Sequence, residues 1–558
     1  MRLQPPADRV HARHPTVVRV AALVSRRVTP HRLRIAACAA LSAVIGAWFV
    51  IAVRQVADGG FYSDDWAIQE HWKFDGYSGA VSRLFETLGS KPLLAVALPA
   101  PYEAFGSNPV WHQLLAAGLA LASAGMFYLV LRKLHFRTRD AAPIALIALL
   151  FPWASAVRLW PTGSMNNIAV LLLFAGFLLA LRGLGVRGWR GLLVHIAAAA
   201  CYAASILFYE TTTVVALTLW PAYAWLHGWR PAVPRALLDI SAAGAAAVYS
   251  AANTEKTVND ISYQLSHLQT MVRDGADLLA ASLVPVSLPD EFPPALTILT
   301  LASVFVTLAV AVLRRRSPRA TGAGSRDAMR WAAIGALALA VLALCWAIYL
   351  PSSFTPTQPG LWDRINILAL YPIAVFVYAV LRTAGCLISE KGYALAIAGS
   401  VVLVVGYIVQ DVRHQRDWAR SWSLQETVLT DVVRAAPPDG SVVLTFGHPA
   451  EVAPSVPVFN ASWDLFAAAR VRTGEPDIDA YPVYTGSRLR CSLDGVTIDY
   501  LASPYDIDPT DNGTPRTPNY DQVVFVDVSH GQHAVIRSRD ECRDALRELT
   551  LGPFRASS

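Results

Sequence analysis

Apolar runs recur along the first 410 residues, and most are long enough to cross the roughly 30 Å hydrocarbon core of a bilayer as helices. The pattern predicts eleven membrane spans, near residues 35–53, 110–131, 141–157, 167–181, 192–208, 212–226, 236–252, 295–313, 331–350, 365–381 and 393–410. The two short runs on either side of Glu210 also fit a broken or re-entrant element, which membrane proteins tolerate where the backbone is buried in protein.

The pattern changes after residue 410. The sequence there predicts a helix over 423–436, strands over 442–446 and 523–528, and a closing helix over 541–549. These elements indicate a small α/β module of about 150 residues, which is large enough for its own core. The predicted organisation is a basic segment at 1–34, an all-α polytopic membrane domain at 35–410 with a large loop at 57–109, and a soluble C-terminal domain at 411–558.

Composition agrees with this organisation. Hydrophobic residues make up 54% of the chain, charged residues only 16%, and the mean hydropathy is +0.39. A soluble protein carries about a quarter charged residues, so soluble, fibrous, disordered and disulfide-scaffold classes are excluded. The net charge of +6 divides unevenly: residues 1–410 hold 33 Lys+Arg against 20 Asp+Glu, and residues 411–558 hold 14 against 21. The net charge is therefore +13 for residues 1–410 and −7 for residues 411–558. This division does not indicate a nucleic-acid partner.

The distribution of Lys and Arg predicts the orientation. With a cytoplasmic N-terminus, 25 of these residues fall in inside segments and 8 in outside loops, which agrees with the positive-inside rule. An odd number of spans then places the C-terminal domain outside a bacterial cytoplasmic membrane. The first span is followed by RQVAD, without an Ala-x-Ala-like cleavage site, so it is expected to be a retained helix rather than a signal peptide.

Two cysteines lie in the predicted outside domain, Cys491 and Cys542. The outside of a bacterium is oxidising, and the sequence has no Cys-x-x-Cys or Cys/His pattern typical of zinc. We therefore expect these two residues to form a disulfide.

The most informative segment is the loop after the first span, where residues 59–66 read GGFYSDDW. Two adjacent carboxylates, Asp64 and Asp65, stand at the membrane surface among aromatic residues, where charge is costly to place. One interpretation is a helix N-terminus, with Ser63 or Asp64 as cap and Asp65 at the positive end of the dipole. The other is a general base for an acceptor hydroxyl, or ligands for a divalent cation such as Mg²⁺ or Mn²⁺.

Further motifs follow in order. An amphipathic segment spans residues 71–88, GSKPLL spans 89–94, and FGSNPVWHQL spans 105–114 at the start of the second span. In this order the chain resembles the GT-C superfamily of polytopic glycosyltransferases, in particular the protein mannosyltransferase-like and aminoarabinose-transferase-like branches. Residues 151–160, FPWASAVRLW, and 209–212, YETT, are similar to further family segments. The likeness covers roughly 35–380, with Lys91 where many members have arginine.

The resemblance implies a reaction. Such enzymes transfer a monosaccharide from a polyprenyl-phosphate carrier to an acceptor on the outer face of the membrane, and an aspartate activates the acceptor hydroxyl. The acceptor is a glycan, a lipid or a protein. The sequence has no Gly-rich phosphate loop for a nucleotide sugar.

The remaining outside-facing charges complete the hypothesis. A leaving phosphate needs cationic partners, and the candidates are Lys91, Arg158, Arg364 and, more weakly, His71. Arg158 and Arg364 also fit anchors at the ends of spans, with Arg364 paired to Asp363. Glu210, flanked by apolar runs, is a third catalytic candidate, or a helix cap among threonines.

Two other functional classes stay open. A transporter or flippase of lipid-linked glycans would use the same outside acids, although transporters place polar residues near the middle of the membrane. A non-catalytic scaffold for envelope assembly is the other alternative.

Overall fold

The computed structural model describes Gly46, Trp48, Phe49 and residues 51–553, with gaps at 255–260, 288–292, 317–322, 389–391, 436–439, 502–516 and 550. The predicted N-terminal segment 1–34 and most of the predicted first span lie outside the described residues.

Within the described residues, six helices are long and apolar enough to cross a membrane. They are Pro109–Lys133, Pro161–Leu184, Trp189–Phe208, Gly324–Ala347, Leu370–Ile388 and Gly392–Arg434. Each overlaps a predicted span. The total of eleven spans is not confirmed, because the other predicted runs form helices that are shorter, less apolar or interrupted.

The other long helices are α1 (Asp64–Thr87), Thr138–Leu149, Trp229–Ala252, Ile261–Leu283 and Pro294–Arg316. Short helices are Pro92–Ala97, Ala100–Phe105, Ala156–Leu159, Pro161–Ser164, Thr213–Thr218 and Trp220–His227. Helix α1 is kinked at Gly76, where φ is 69°. The predicted amphipathic segment at 71–88 therefore continues the helix that begins at the acid pair.

Two predicted spans are interrupted for identifiable reasons. The run at 141–157 stops at Leu149, since Phe151 precedes Pro152 and is held extended, and a 3₁₀ turn at Pro152–Ala154 follows. The run at 212–226 begins with extended Tyr209 and a 3₁₀ turn at Glu210–Thr212, and Pro221 then opens a separate helix. The broken alternative around Glu210 is the one that the structure adopts.

The 43-residue helix Gly392–Arg434 continues past residue 410, where the charge distribution places the domain boundary. It includes the helix predicted at 423–436 up to Arg434. The C-terminal sheet then has four strands in the order β4-β1-β7-β8: β4 (Asp479–Pro482), β1 (Val442–Phe446), β7 (Val523–Asp527) and β8 (Gln532–Ile536). Strand β1 is parallel to both neighbours, and β8 is antiparallel to β7.

The small strands Glu451–Ala453 (β2) and Val456–Pro457 (β3) form one hairpin, and Arg488–Cys491 (β5) and Val496–Tyr500 (β6) form another. Helix α2 (Ser462–Thr473) joins β3 to β4, and helix α3 (Arg539–Glu548) follows β8. Cys491 and Cys542 are joined by a disulfide with 6.0 Å between their Cα atoms, which ties β5 to α3.

Helix α2 of this C-terminal region packs along α1. Arg470 forms an ion pair of 2.7 Å with Glu70, and the ammonium of Lys73 donates to the carbonyl of Val471 at 2.7 Å. The indole of Trp66 donates to Gln425 of the long helix at 2.7 Å. The first turn of α1, which holds the acid pair, is therefore fixed against the C-terminal part of the chain.

Candidate active site

The acid pair lies where the loop at 59–63 enters α1. A Cβ at Gly60 would lie 1.8 Å from the Trp422 ring, so only glycine lets the backbone pass that ring. Ser63 has a φ of 47°, in the left-handed region, and its side chain makes no capping hydrogen bond. The sharp turn places Asp64 and Asp65 in the first helical turn, where the helix dipole favours carboxylates.

Asp65 is fully buried and its oxygens are occupied. Oδ1 accepts from the backbone N–H and the hydroxyl of Thr162, at 2.9 and 2.5 Å, and Oδ2 accepts from the N–H of Tyr62 at 2.8 Å. Burial raises the pKa of Asp65 to about 7, although these hydrogen bonds favour the ionised form. The residue therefore ties the acid loop to the turn that contains Thr162.

Asp64 differs from its neighbour because it is only half-buried. Its Oδ1 accepts a hydrogen bond of 3.0 Å from the indole Nε1 of Trp463, the second residue of α2. The carboxylate is thus oriented by the C-terminal region while it stays accessible. Of the two acids, Asp64 is the one that an acceptor can reach.

Lys91 and Glu210, predicted separately, form an ion pair of 3.1 Å. Lys91 precedes the short helix Pro92–Ala97, and Glu210 begins the 3₁₀ turn after Trp189–Phe208, so both lie at breaks in the helical structure. The ammonium also lies 5.1 Å from the centre of the Tyr209 ring. Oε2 of Glu210 is buried without a hydrogen-bond partner among the described residues, which leaves an acceptor available at this point.

Arg364 lies between two aromatic rings. Its guanidinium is 5.3 Å from the centre of the Trp160 ring and 4.9 Å from that of Trp362. The Tyr349 hydroxyl is within electrostatic reach of both Arg364 and Glu210.

Asp363 is not the partner of Arg364. Its carboxylate accepts from the N–H and hydroxyl of Ser155, both at 2.7 Å, and from the N–H of Ala156 at 2.8 Å. Burial raises the pKa of Asp363 to about 7. The ion pair between Asp363 and Arg364 that the sequence suggested is therefore wrong. Asp363 caps the short helix at 156–159, and Arg364 lies against aromatic rings.

The turn at 160–162 connects the acids to this cation. The indole N–H of Trp160 donates to the carbonyl of Tyr62 at 3.0 Å, and the face of the same ring carries Arg364. Two residues later, Thr162 holds Asp65. The same turn therefore contacts both the loop that carries the acids and Arg364.

Two other predicted cations have different surroundings. Arg158 donates to both oxygens of Asp411, at 2.6 and 3.2 Å, and to the carbonyl of Leu149, so its charge is balanced within the protein. Burial lowers the pKa of His71, and its charged neighbours are Glu70, Arg83, Asp75 and Arg470. An uncharged imidazole offers no positive charge to a phosphate. The lowered pKa therefore argues against His71 as a phosphate-binding residue.

The acid pair offers a poor set of ligands for a divalent cation. Asp65 already accepts three hydrogen bonds, and the described residues contain no group of three or more His, Cys, Asp or Glu side chains able to hold a metal ion. The residues present do not fit the Mg²⁺ or Mn²⁺ considered from sequence, and no step below uses one.

Two solved structures are similar to this chain: ArnT from Cupriavidus metallidurans in the apo state and bound to undecaprenyl phosphate. The apo structure is 12% identical, with a TM-score of 0.29 over 81% of this chain and 87% of its own. The bound structure is 12% identical, with a TM-score of 0.27 over 80% and 86%. No family model and no curated protein matches the chain. At such identity and TM-score the likeness carries no functional argument, which must come from the site.

Sequence reasoning missed three residues of this arrangement: Thr162, Tyr349 and Trp463. Thr162 and Tyr349 follow long apolar runs and carry no local signal beyond being polar at the end of a run. Trp463 lies 399 positions from Asp64, so only the folded chain reveals the contact.

Proposed function

We propose that this chain is an integral membrane glycosyltransferase that moves a monosaccharide from a polyprenyl-phosphate donor to an acceptor hydroxyl. The reaction takes place at the outer face of a bacterial cytoplasmic membrane, with a cytoplasmic N-terminus and the C-terminal domain outside. The acceptor is a glycan, a lipid or a protein.

One observation carries the proposal: the short turn at 160–162 binds the loop that leads to the accessible Asp64, and the same turn supports Arg364. Tyr62 and Asp65 bind Trp160 and Thr162, and Trp160 supports Arg364. An acid able to take a proton and a cation able to receive a phosphate are the two groups that this transfer requires. The Lys91–Glu210 pair adds a second cation to the proposal.

The proposed chemistry uses these groups in order. Asp64 accepts the proton of the acceptor hydroxyl as its oxygen attacks the anomeric carbon of the donor. The bond between that carbon and the phosphate oxygen breaks, and polyprenyl phosphate leaves with the bonding electrons. Arg364 and Lys91 stabilise the negative charge that forms on the phosphate, while Asp65 fixes the loop that carries Asp64. Glu210 orients Lys91.

The main alternative is a transporter or flippase of lipid-linked glycans that uses the same residues to bind its cargo. The four proposed residues lie at helix ends and breaks, which favours an enzyme over a carrier with a site in mid-membrane: Asp64, Lys91, Glu210 and Arg364. A non-catalytic scaffold would not require an accessible carboxylate that another residue orients.

The test uses purified full-length protein in nanodiscs with a panel of radiolabelled polyprenyl-phosphate sugars and a membrane extract as acceptor source. The wild type is compared with Asp64→Asn and with Asp75→Asn, an acid of the same helix that pairs with Arg83. We expect sugar release or transfer by the wild type and by Asp75→Asn, and a loss of about 10²-fold or more in Asp64→Asn.

Equal activity in the two variants would refute Asp64 as the base. Absence of both transfer and donor hydrolysis across the panel, together with protein-dependent movement of the lipid-linked sugar between leaflets, would establish the transporter instead.

A further inference from the structure

The helix Gly392–Arg434 presents one continuous exposed face that runs from its membrane part into the C-terminal region. Between Leu395 and Thr430, every exposed residue of this helix comes three or four positions after the previous one. That spacing is the spacing of one side of an α-helix. Since these side chains are all exposed, the other described parts of the chain leave this face uncovered.

The first part of the face is apolar. Val402, Val405 and Val409 are 71%, 53% and 48% exposed. The stretch 392–410 contains no Asp, Glu, Lys or Arg, and as a helix it is about 28 Å long, which is close to the thickness of the hydrocarbon core. The exposed valines therefore fit contact with lipid chains, and the hydrocarbon core ends near residue 410.

The next three exposed residues on the same face are arginines: Arg413, Arg416 and Arg420. Along a helix normal to the membrane they lie about 4.5, 9 and 15 Å beyond residue 410. Side chains of an α-helix point back toward its N-terminus, which is the membrane end of this helix. The headgroup layer extends roughly 5–8 Å beyond the hydrocarbon core. Arg413 and Arg416 are therefore within reach of lipid phosphates, and Arg420 lies above them.

The three guanidinium groups are available to an external anion. None of them forms an ion pair or a side-chain hydrogen bond with another described residue. Asp417, which is half-buried, acts on Arg420 only through space. Arg434, farther along the same helix, differs because it pairs with Asp431 at 2.6 Å.

The distribution of charge along the face favours a ligand over simple solvation. A solvated helix face usually carries charges of both signs along its length. Here the cations stop at Arg420, and the exposed residues that follow on the face are uncharged: Ser423, Thr427 and Thr430. In the proposed orientation these cations also oppose the usual depletion of Lys and Arg outside a span. The positive charge is thus concentrated next to the level of phospholipid phosphates.

We propose that Arg413, Arg416 and Arg420 bind the phosphate groups of anionic phospholipids in the leaflet on the side of the C-terminal domain. The guanidinium fork matches two oxygens of a phosphate, and the valines below contact the acyl chains of the same lipids. This inference goes beyond the proposed function, because lipid binding at this face does not require transfer.

The test is native mass spectrometry of the full chain in detergent, titrated with phosphatidylglycerol or with phosphatidylcholine of the same acyl chains. An arginine next to a membrane adds roughly fivefold to the affinity for an anionic surface, so we expect a preference for phosphatidylglycerol of about 10–100-fold. Arg413→Gln and Arg416→Gln should each lower it by about fivefold, Arg420→Gln by less, and the triple Gln variant should abolish it. More ammonium acetate in the buffer should weaken it as well, because salt screens exposed charges.

Arg434→Gln is the matched control, because Arg434 lies about 21 Å beyond Arg420 on the same helix and glutamine can still donate to Asp431. It should leave the preference unchanged. The triple Lys variant keeps the charges and should retain most of the preference. Thermal unfolding of each variant separates loss of lipid binding from loss of the fold, and the single variants decide if the triple Gln variant is unstable.

Three results with lipids would overturn the inference: equal affinity of the wild type for the two lipids, a preference that persists in the triple Gln variant, or an equal loss in Arg434→Gln. Displacement of phosphatidylglycerol by millimolar glycerol 1-phosphate would indicate a site for soluble phosphates instead. A dimer that forms without lipid and depends on the three arginines would make a second copy of the chain the occupant. Because the assay does not measure transfer, its failure leaves the proposed function untouched.

Discussion

The indole nitrogen of Trp463 donates a 3.0 Å hydrogen bond to Asp64, so the C-terminal region orients the carboxylate that we propose as the base. Trp463→Phe keeps the ring and removes the N–H. Because a hydrogen bond to a charged group contributes about 1.5–3 kcal/mol, we expect the transfer rate to fall by about 10–100-fold at unchanged KM for the donor. Initial rates at several donor concentrations measure both parameters.

Trp189→Phe is the matched control for this substitution, since Trp189 is 67% exposed at the start of another helix. A rate in Trp463→Phe equal to that of the control would show that the contact has no role in catalysis.

Substitution of Asp65 is expected to lower stability, whereas substitution of Asp64 is expected to lower activity. Asp65→Asn places an amide NH₂ against groups that now donate to the carboxylate, so the unfolding free energy should fall by about 1–3 kcal/mol. Asp64→Asn should leave stability nearly unchanged and remove most activity. Thermal unfolding and transfer assays on the same preparations test the pair. Similar midpoints for the two variants would contradict this division of roles.

Asp464 gives the C-terminal region a pH-dependent stability. Burial raises its pKa to about 7, although the N–H groups of Asn460, Ala461 and Leu465 donate to it. In the unfolded chain an aspartate titrates near pH 3.9, so between about pH 4 and 7 the folded protein binds more protons than the unfolded one. The stabilising contribution of the protonated group is therefore lost as pH rises through about 7.

Asp464→Asn removes this titration. The difference between its unfolding midpoint and that of the wild type should shift in favour of the variant between about pH 4 and pH 7, the window set by the two pKa values. A constant difference across that range would show that Asp464 does not titrate there.

Lys91 is expected to act on the donor. Lys91→Gln removes a cation that the proposal places at the leaving phosphate, so KM for the donor should rise by about 10-fold or more, and Lys91→Arg should recover most of it. Lys73→Gln is the control, because Lys73 donates to the carbonyl of Val471 instead. If inhibition by free polyprenyl phosphate is equally strong in the wild type and Lys91→Gln, Lys91 does not contact the phosphate.

The disulfide between Cys491 and Cys542 closes a separation of 51 residues. Cross-links of this kind contribute about 2–4 kcal/mol, so Cys491→Ser should lower the unfolding midpoint of the C-terminal region. Peptide mapping without reductant should recover the linked pair from native membranes. Two free thiols there would contradict an outside location of this domain.

The sequence predicts those features of the structure that depend on residues close together in the chain. Helices such as Pro109–Lys133 and Leu370–Ile388 follow from local apolar runs, and each overlaps its predicted span. The interruptions at Pro152 and around Glu210 depend on proline and on buried polar backbone, which hydropathy alone does not resolve.

The candidate site shows the same limit. Asp64 and Lys91 could be selected from motifs in the loop after the first span, and Glu210 and Arg364 because each is an ionisable residue beside an apolar run. Their partners could not, since Arg158 binds Asp411 across 253 positions and Lys91 meets Glu210 only after the helices pack. Charge gives a signal in the sequence for ionisable residues, whereas neutral residues such as Thr162 and Trp463 give none.

The 43-residue helix Gly392–Arg434, about 65 Å long, separates the membrane helices from Trp463 in the order of synthesis. The acid pair is synthesised early, but Trp463 follows the last long helix. A ribosome that stops before residue 463 therefore releases a chain that has the acids without the group that orients them. Completion of the proposed site therefore depends on synthesis of the C-terminal region up to helix α2.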